Sequence, residues 1–190
     1  MSVGKPKLEN RTLKLTSDLE SVRLFLRPWV AEDWRAFRPI ATDPDVMRHI
    51  TDGVPWTDEQ TQEFVQRQIG HFTERGFCLW KLVAKKDVSA RIIGFCGLQP
   101  LDIDGRQEVE IGWWLAKDCW GKGLATEAAR EALRFGIDRA GLKRIISIAR
   151  PDNTASRHVM MKLGMTYERE VVHKGVPVVL YSLRGARQGT

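Results

Sequence analysis

The chain has 190 residues, 43% of them hydrophobic and 28% charged, which gives room for one domain with a substantial core. No run approaches the ~20 apolar residues that cross a bilayer, and the opening stretch to Leu15 lacks the apolar segment of a secretory signal. A cytoplasmic protein without membrane attachment is therefore expected. A formal net charge of +6 suits an anionic ligand. The basic residues are scattered, with no arginine-rich block or interleaved aromatic platform, so direct nucleic-acid binding is not expected. Cys78, Cys96 and Cys119 are odd in number and widely spaced, which argues against a disulfide framework and a zinc site; no metal is expected.

Residues 1–20 are polar and read as a partly mobile extension. A domain follows over 21–184, with a basic tail at 185–190. Val22, Leu24 and Leu26 alternate in a strand that stops at Pro28, and a helix carrying Trp34, Phe37 and Ile40 starts near Asp33. Two prolines and a glycine make 41–56 a loop. Thr57 followed by Glu59 and Gln60 resembles a helix N-cap, and that helix runs to about Arg75 and closes at Gly76. Residues 77–85 and 91–98 read as an antiparallel hairpin. A loop containing Pro100, Asp102, Asp104 and Gly105 leads to a central strand, Val109 to Leu115, rich in β-branched, aromatic and aliphatic residues.

After that strand come Gly121 and Gly123, and then Leu124, Ala128, Ala132 and Phe135 at helical spacing. The glycines remove two Cβ atoms where the N–H groups of the coming helix are still unpaired. Unpaired donors at the positive end of a helix dipole make a socket for phosphate. A Walker loop is excluded because Lys122 is followed by Gly123 and no glycine stands at 116. A dinucleotide fingerprint needs three glycines and a later ribose-binding acid, and only Gly121 and Gly123 are offered, with Ala125 beyond. Beyond this, 143–149 is an apolar strand. Pro151 with Asp152 or Asn153 opens a helix whose buried face is expected to be Ala155, Val159 and Leu163, closed by Gly164. Strands at 166–172 and 177–183, turned at His173-Lys174-Gly175, finish the chain.

The run Trp120-Gly121-Lys122-Gly123-Leu124-Ala125 resembles motif A of the GNAT superfamily of acyl-CoA N-acyltransferases, with Trp120 in place of the usual leading Arg or Gln. WGKGLATEA, the opening Val22–Trp29 stretch and the run from Asn153 through Lys162-Leu163-Gly164-Met165 are similar to the ribosomal-protein N-terminal acetyltransferase (RimJ/RimL-type) branch and its small-molecule relatives. The resemblance covers about residues 21–184. It implies an α+β fold (mixed α/β): a twisted, mixed, mostly antiparallel sheet of about seven strands flanked by four helices.

It also implies acetyl transfer from acetyl-CoA to a primary amine, a protein N-terminus or a small molecule, by direct attack in a ternary complex. Pantetheine would lie along Trp113, Trp114 and Leu115, and the pyrophosphate on the N–H groups of Trp120, Gly121, Lys122, Gly123, Leu124, Ala125 and Thr126. An amide of Trp114 or Leu115 would face the thioester oxygen, and Asn153 and Ser156 would contact the cofactor. Glu110, among apolar neighbours, is the candidate base, or else a structural ion pair or a solvent-facing acid, and His173 is the second candidate for the base. Many relatives place a Tyr seven residues after the Asn to protonate the leaving thiolate; Met160 stands there, which leaves the Ser156 hydroxyl or unaided departure. His49, Trp56 and His173 are candidates for acceptor contact, though Trp56 serves equally to pack its loop. Cys119 beside the loop is either acidified there or passive. A non-catalytic CoA-binding or ribosome-associated module is the alternative, and a monomer or homodimer is expected.

Overall fold

The computed structural model describes residues 18–185. Its centre is an eight-stranded sheet ordered β1-β2-β3-β4-β5-β6-β8-β7, antiparallel except where β5 meets β6. The strands are β1 (Leu19–Glu20), β2 (Leu24–Arg27), β3 (Leu79–Ala84), β4 (Ile92–Ile103), β5 (Arg106–Leu115), β6 (Arg144–Ala149), β7 (Thr166–His173) and β8 (Val176–Arg184). The helices are α1 (Asp33–Ala41), the single turn α2 (Pro44–Met47), α3 (Asp58–Arg75), α4 (Leu124–Arg134) and α5 (Thr154–Lys162). The fold is the α+β one expected, with β1 and α2 added. β1 falls inside the stretch read as a mobile extension, since Leu19 pairs with Leu26 and Glu20 with Phe25. Residues 1–17 and 186–190 lie outside the described residues.

Side-chain alternation along β4 sorts the two faces of the sheet. Phe95 packs among Phe37, Phe64 and Trp114, so the odd positions of β4 meet α1 and α3. Leu98 lies on the other face, where a Cβ placed on Gly136, just after α4, would come within 2.9 Å of its side chain. Within β4, Gly97 is required by close approach: a Cβ there would fall 2.2 Å from the Cys78 carbonyl oxygen. α3 opens with both bonds of a capping box, Gln60 N–H to Thr57 Oγ1 at 3.2 Å and Thr57 N–H to Gln60 Oε1 at 2.9 Å.

The expected loop at 99–108 is instead a continuation of both strands through a two-residue turn. Asp104 and Gly105 take φ of 53° and 74°, the conformation of a tight hairpin turn. Pro100 pairs opposite Val109 inside β4, past the start of β3, whose first residue, Leu79, lies opposite Gly97. Its missing N–H therefore withholds nothing from a neighbouring strand. The sheet then curls. Ile103, Ile146, Val171, Val178 and Leu180 form a second small core, and Arg169 on β7 reaches Asp104 at 2.8 Å.

Candidate active site

β5 and β6 run side by side only briefly. Their register is set at Glu110 and Ile146, and Ser147 Oγ donates to the Ile111 carbonyl at 2.9 Å. Past that point the strands part into a fork, and their ends wall a cleft of about 670 Å³. Because Ile111 turns its carbonyl to β6, alternation sends the backbone groups of Trp113 and Leu115 into the fork as well. Trp114 and Ala116 turn the other way, and the Ala116 N–H donates to Ile93 on β4 at 2.9 Å. Of the two amides expected to face a thioester oxygen, only that of Leu115 is directed into the fork. The Trp114 ring completes the aromatic cluster with Phe37, Phe64 and Phe95 and also borders the cleft.

A 3-10 turn, Lys117–Cys119, joins β5 to the glycine loop. Gly121 and Gly123 adopt φ of 71° and 73°, a region that a Cβ disfavours. Gly123 caps α4 without a side chain, and the helical ladder begins only with the Glu127 N–H on the Gly123 carbonyl, at 3.1 Å. The N–H groups of Leu124, Ala125 and Thr126 precede that ladder and open on the cleft with Trp120, Gly121 and Gly123. Lys122 is not part of the wall. Its carbonyl accepts from Arg23 Nη1 at 3.0 Å, while Glu127 accepts from Ser21 Oγ, Arg23 N–H and Arg23 Nε at 2.6–2.7 Å. This clamp, absent from the sequence reading, ties the loop to β2. Trp120 is half exposed and donates its Nε1–H to the Leu115 carbonyl at 2.8 Å.

Glu110 sits at the crotch of the fork, 8% exposed. Burial pushes its carboxyl up to about 7, against the lowering influence of Gln99, the Ile148 backbone N–H and the Lys174 charge. Gln99 Nε2 donates to Glu110 Oε2 at 2.8 Å. No cation is within ion-pair distance of it among the described residues, so neither a structural ion pair nor a solvent-facing acid describes it. Gln99 left no sequence signal; only the β4–β5 register places it opposite Glu110.

Asn153 and Ser156 both line the cleft, and Asn153 Oδ1 accepts the Ser156 N–H at 3.0 Å, capping α5. Met160 is fully buried, turned into the core and away from the cleft. The expected buried face of α5 is corrected here. Ala155 is exposed and Val159 only half-buried, and both face the cleft with His158 and Lys162. Met160 and Met165 anchor the helix instead.

His49 lines the cleft, with Nδ1 3.6 Å from Asp152 Oδ1. Its segment is pinned across the fork, Asp45 to Lys117 beyond β5 and Asp52 to Arg150 beyond β6. Trp56 is absent from the wall and packs on Trp114 and Phe64, at 4.9 and 5.6 Å between ring centroids. His173 is also outside the wall. Burial and the Lys174 charge hold its imidazole below the usual range. Cys119 is not acidified: burial, then Asp118, push its thiol up.

The Acetyltransferase (GNAT) domain family matches residues 23–166. The N-acetyltransferase YnaD of Bacillus subtilis is 32% identical over 146 residues, covering 77% of this chain and 81% of its own. The spermidine N(1)-acetyltransferase of Escherichia coli is 27% identical over 156 residues, covering 78% and 76%. The ribosomal-protein-serine acetyltransferase of Escherichia coli is 26% identical over 112 residues, covering 59% and 60%. A solved GNAT-family acetyltransferase from Bacillus anthracis superposes with a TM-score of 0.72 at 28% identity, over 88% of this chain and 98% of its own. With a forked sheet, a glycine loop at the fork's end and a family match over most of its length, the chain belongs to the GNAT family of acetyl-CoA-dependent N-acetyltransferases and is an acyltransferase.

Proposed function

We propose that the protein acetylates a primary amine from acetyl-CoA by direct attack in a ternary complex, with Glu110 as the base. The observation that carries this is the fork: a strand edge left open beyond Glu110, with helix-start donors at its far end. The open groups of Trp113 and the N–H of Leu115, whose carbonyl is taken by Trp120, suit an amide-bearing pantetheine arm lying as an added strand. The first-turn N–H groups of α4, from Leu124 to Thr126, with Gly121 and Gly123 in the loop before them, suit a diphosphate.

The amine arrives as an ammonium and must lose a proton before attack. Glu110, with a carboxyl near 7, accepts that proton at neutral pH directly or through a water. Nitrogen then bonds to the thioester carbon while the oxygen takes up negative charge. The Leu115 N–H is directed toward that oxygen, and a donor of this kind contributes roughly 3–4 kcal/mol. Collapse breaks the C–S bond and the thiolate leaves, while the nitrogen gives up its second proton, to solvent or to the departing sulfur, to become the neutral amide. With Met160 in the core, the Ser156 hydroxyl at the α5 cap, in the cleft wall, can offer it a hydrogen bond. Departure unaided also serves, since a thiol of pKa ~8.5 is a tolerable leaving group.

Relatives named for a ribosomal protein and for spermidine leave two acceptor classes, a protein N-terminus and a small amine, both offering the primary amine this mechanism needs. His49 and the α2 segment form the wall an acceptor would meet. Thiol release from acetyl-CoA, measured across N-terminal peptides, polyamines and amino acids, tests the reading. Sustained turnover with one class identifies the acceptor. Tight CoA binding with no turnover on any of them would instead favour a non-catalytic CoA-binding module.

A further inference from the structure

Glu110 is held from behind as well as buried. Gln99 on β4 stands directly opposite it in the register and donates Nε2–H to its Oε2 at 2.8 Å. The Ile148 backbone N–H on β6 is a second donor to the same carboxylate. Each strand flanking β5 thus supplies one donor, which fixes the carboxylate plane at the crotch of the fork. An ionised carboxylate has about four lone-pair sites, so two donors leave room for an incoming proton. Gln99 is half-buried and absent from the wall of the cleft, so any effect it has on the reaction is exerted through Glu110. The charged groups nearby have other partners or act at longer range. Lys174, in the turn between β7 and β8, acts on Glu110 through charge alone, and His173 beside it feels Asp102. Glu108, on the same face of β5, is paired with Arg144 of β6 at 3.1 Å. In the cleft wall His49 lies near Asp152, and Arg150 is paired with Asp52.

We propose that Gln99 is a positioning residue for the base: its amide holds the ionised Glu110 carboxylate turned so that a free lone pair meets the proton of the acceptor amine. The proposal rests on the reading of Glu110 as the base. An N–H donated to a carboxylate favours the ionised form and offsets part of the burial that disfavours it. A neutral amide does this without cancelling the charge. A cation in its place would form an ion pair and pull the carboxyl back toward the ordinary range, leaving a weaker base at neutral pH. The competing role for Gln99 is only to stitch β4 to β5. That role affects the stability of the sheet and leaves the rate at alkaline pH, where Glu110 is fully ionised, untouched.

NMR titration of the full chain, isotope-labelled at the glutamate carboxyl carbon and assigned with Glu110→Gln, reads the Glu110 midpoint directly. Wild type is expected at about 7. Gln99→Met, of similar length but without a donor, is expected about one pH unit higher, the size of one hydrogen bond to a charged group. Gln99→Lys keeps a donor and adds a charge, so its midpoint falls below that of wild type; it carries the test if the methionine variant does not fold. Kinetics use the amine from the panel above that turns over. There Gln99→Met is expected to lower kcat on the high-pH plateau roughly tenfold, through misplacement of the base, with acetyl-CoA affinity unchanged. In a Glu110→Gln background the same substitution adds no further loss. An unmoved midpoint in either variant overturns the proposal, as does a full plateau kcat in Gln99→Met or an equal loss in the Glu110→Gln background. A Glu110→Gln protein with wild-type kcat overturns the base reading itself, whatever Gln99→Met does to the midpoint.

Discussion

Glu110 occupies a place that disfavours its own charge, and two predictions follow from that one fact. With its carboxyl near 7, the rate constant kcat/KM should rise with pH through about 7 and then level. Glu110→Gln should lower kcat by roughly 10²–10⁴-fold and flatten that rise, with little change in acetyl-CoA affinity. A full pH–rate profile of the variant checks this, and an unchanged kcat from pH 6 to 9 clears Glu110 of the role. The second prediction concerns stability. The folded state holds this proton more tightly than the unfolded chain, so the contribution is greatest below about 4.5, declines between 4.5 and 7 and is flat above. By this linkage the buried carboxylate destabilises the fold by about 3 kcal/mol at pH 8, and Glu110→Gln should be the more stable protein there. Urea unfolding of both proteins at pH 5 and pH 8 measures it; a stability difference independent of pH contradicts the burial argument. From the sequence, a lone Glu among apolar residues was legible as a candidate. Its hydrogen bond from Gln99 was not, because that contact depends on cross-strand register.

At the scale of elements, the glycine loop was readable because two glycines between a strand and an amphipathic helix leave little else to build. Gly123→Ala puts a Cβ at φ 73°, which should destabilise by about 1 kcal/mol and tilt the first turn of α4. A several-fold rise in the CoA dissociation constant by titration is expected, and unchanged affinity would show that the loop does not hold the diphosphate. Besides the missed β1 and α2, two misreadings have identifiable reasons. Pro100 masked the Asp104-Gly105 hairpin signal, since a proline reads as a strand breaker unless its N–H side is known to be free. Ala155 and Val159 were read as core because helical periodicity marks an apolar face without telling what it meets; here it meets the cleft.

At the scale of the whole molecule, the order of strands and helices was legible, because each element carried its own pattern and turn residues. What joins distant elements was not. The clamp from Ser21 and Arg23 to Glu127 spans over a hundred residues, and the pins from Asp45 to Lys117 and from Asp52 to Arg150 close the fork from its open side. Such pairs follow from the fold and carry no local signature. The fork itself is a property of the sheet as a whole: β6 is held by β8 along its full length, while β5 is held by β4, and the two pairs diverge after one shared contact. Amide hydrogen exchange with and without CoA tests the role of that opening most directly. Binding should slow exchange at the N–H groups of Trp113, Leu115 and 121–126, and leave Trp114, already bonded to β4, unchanged. Protection that spares Trp113, Leu115 and the glycine loop while arising elsewhere would contradict the account.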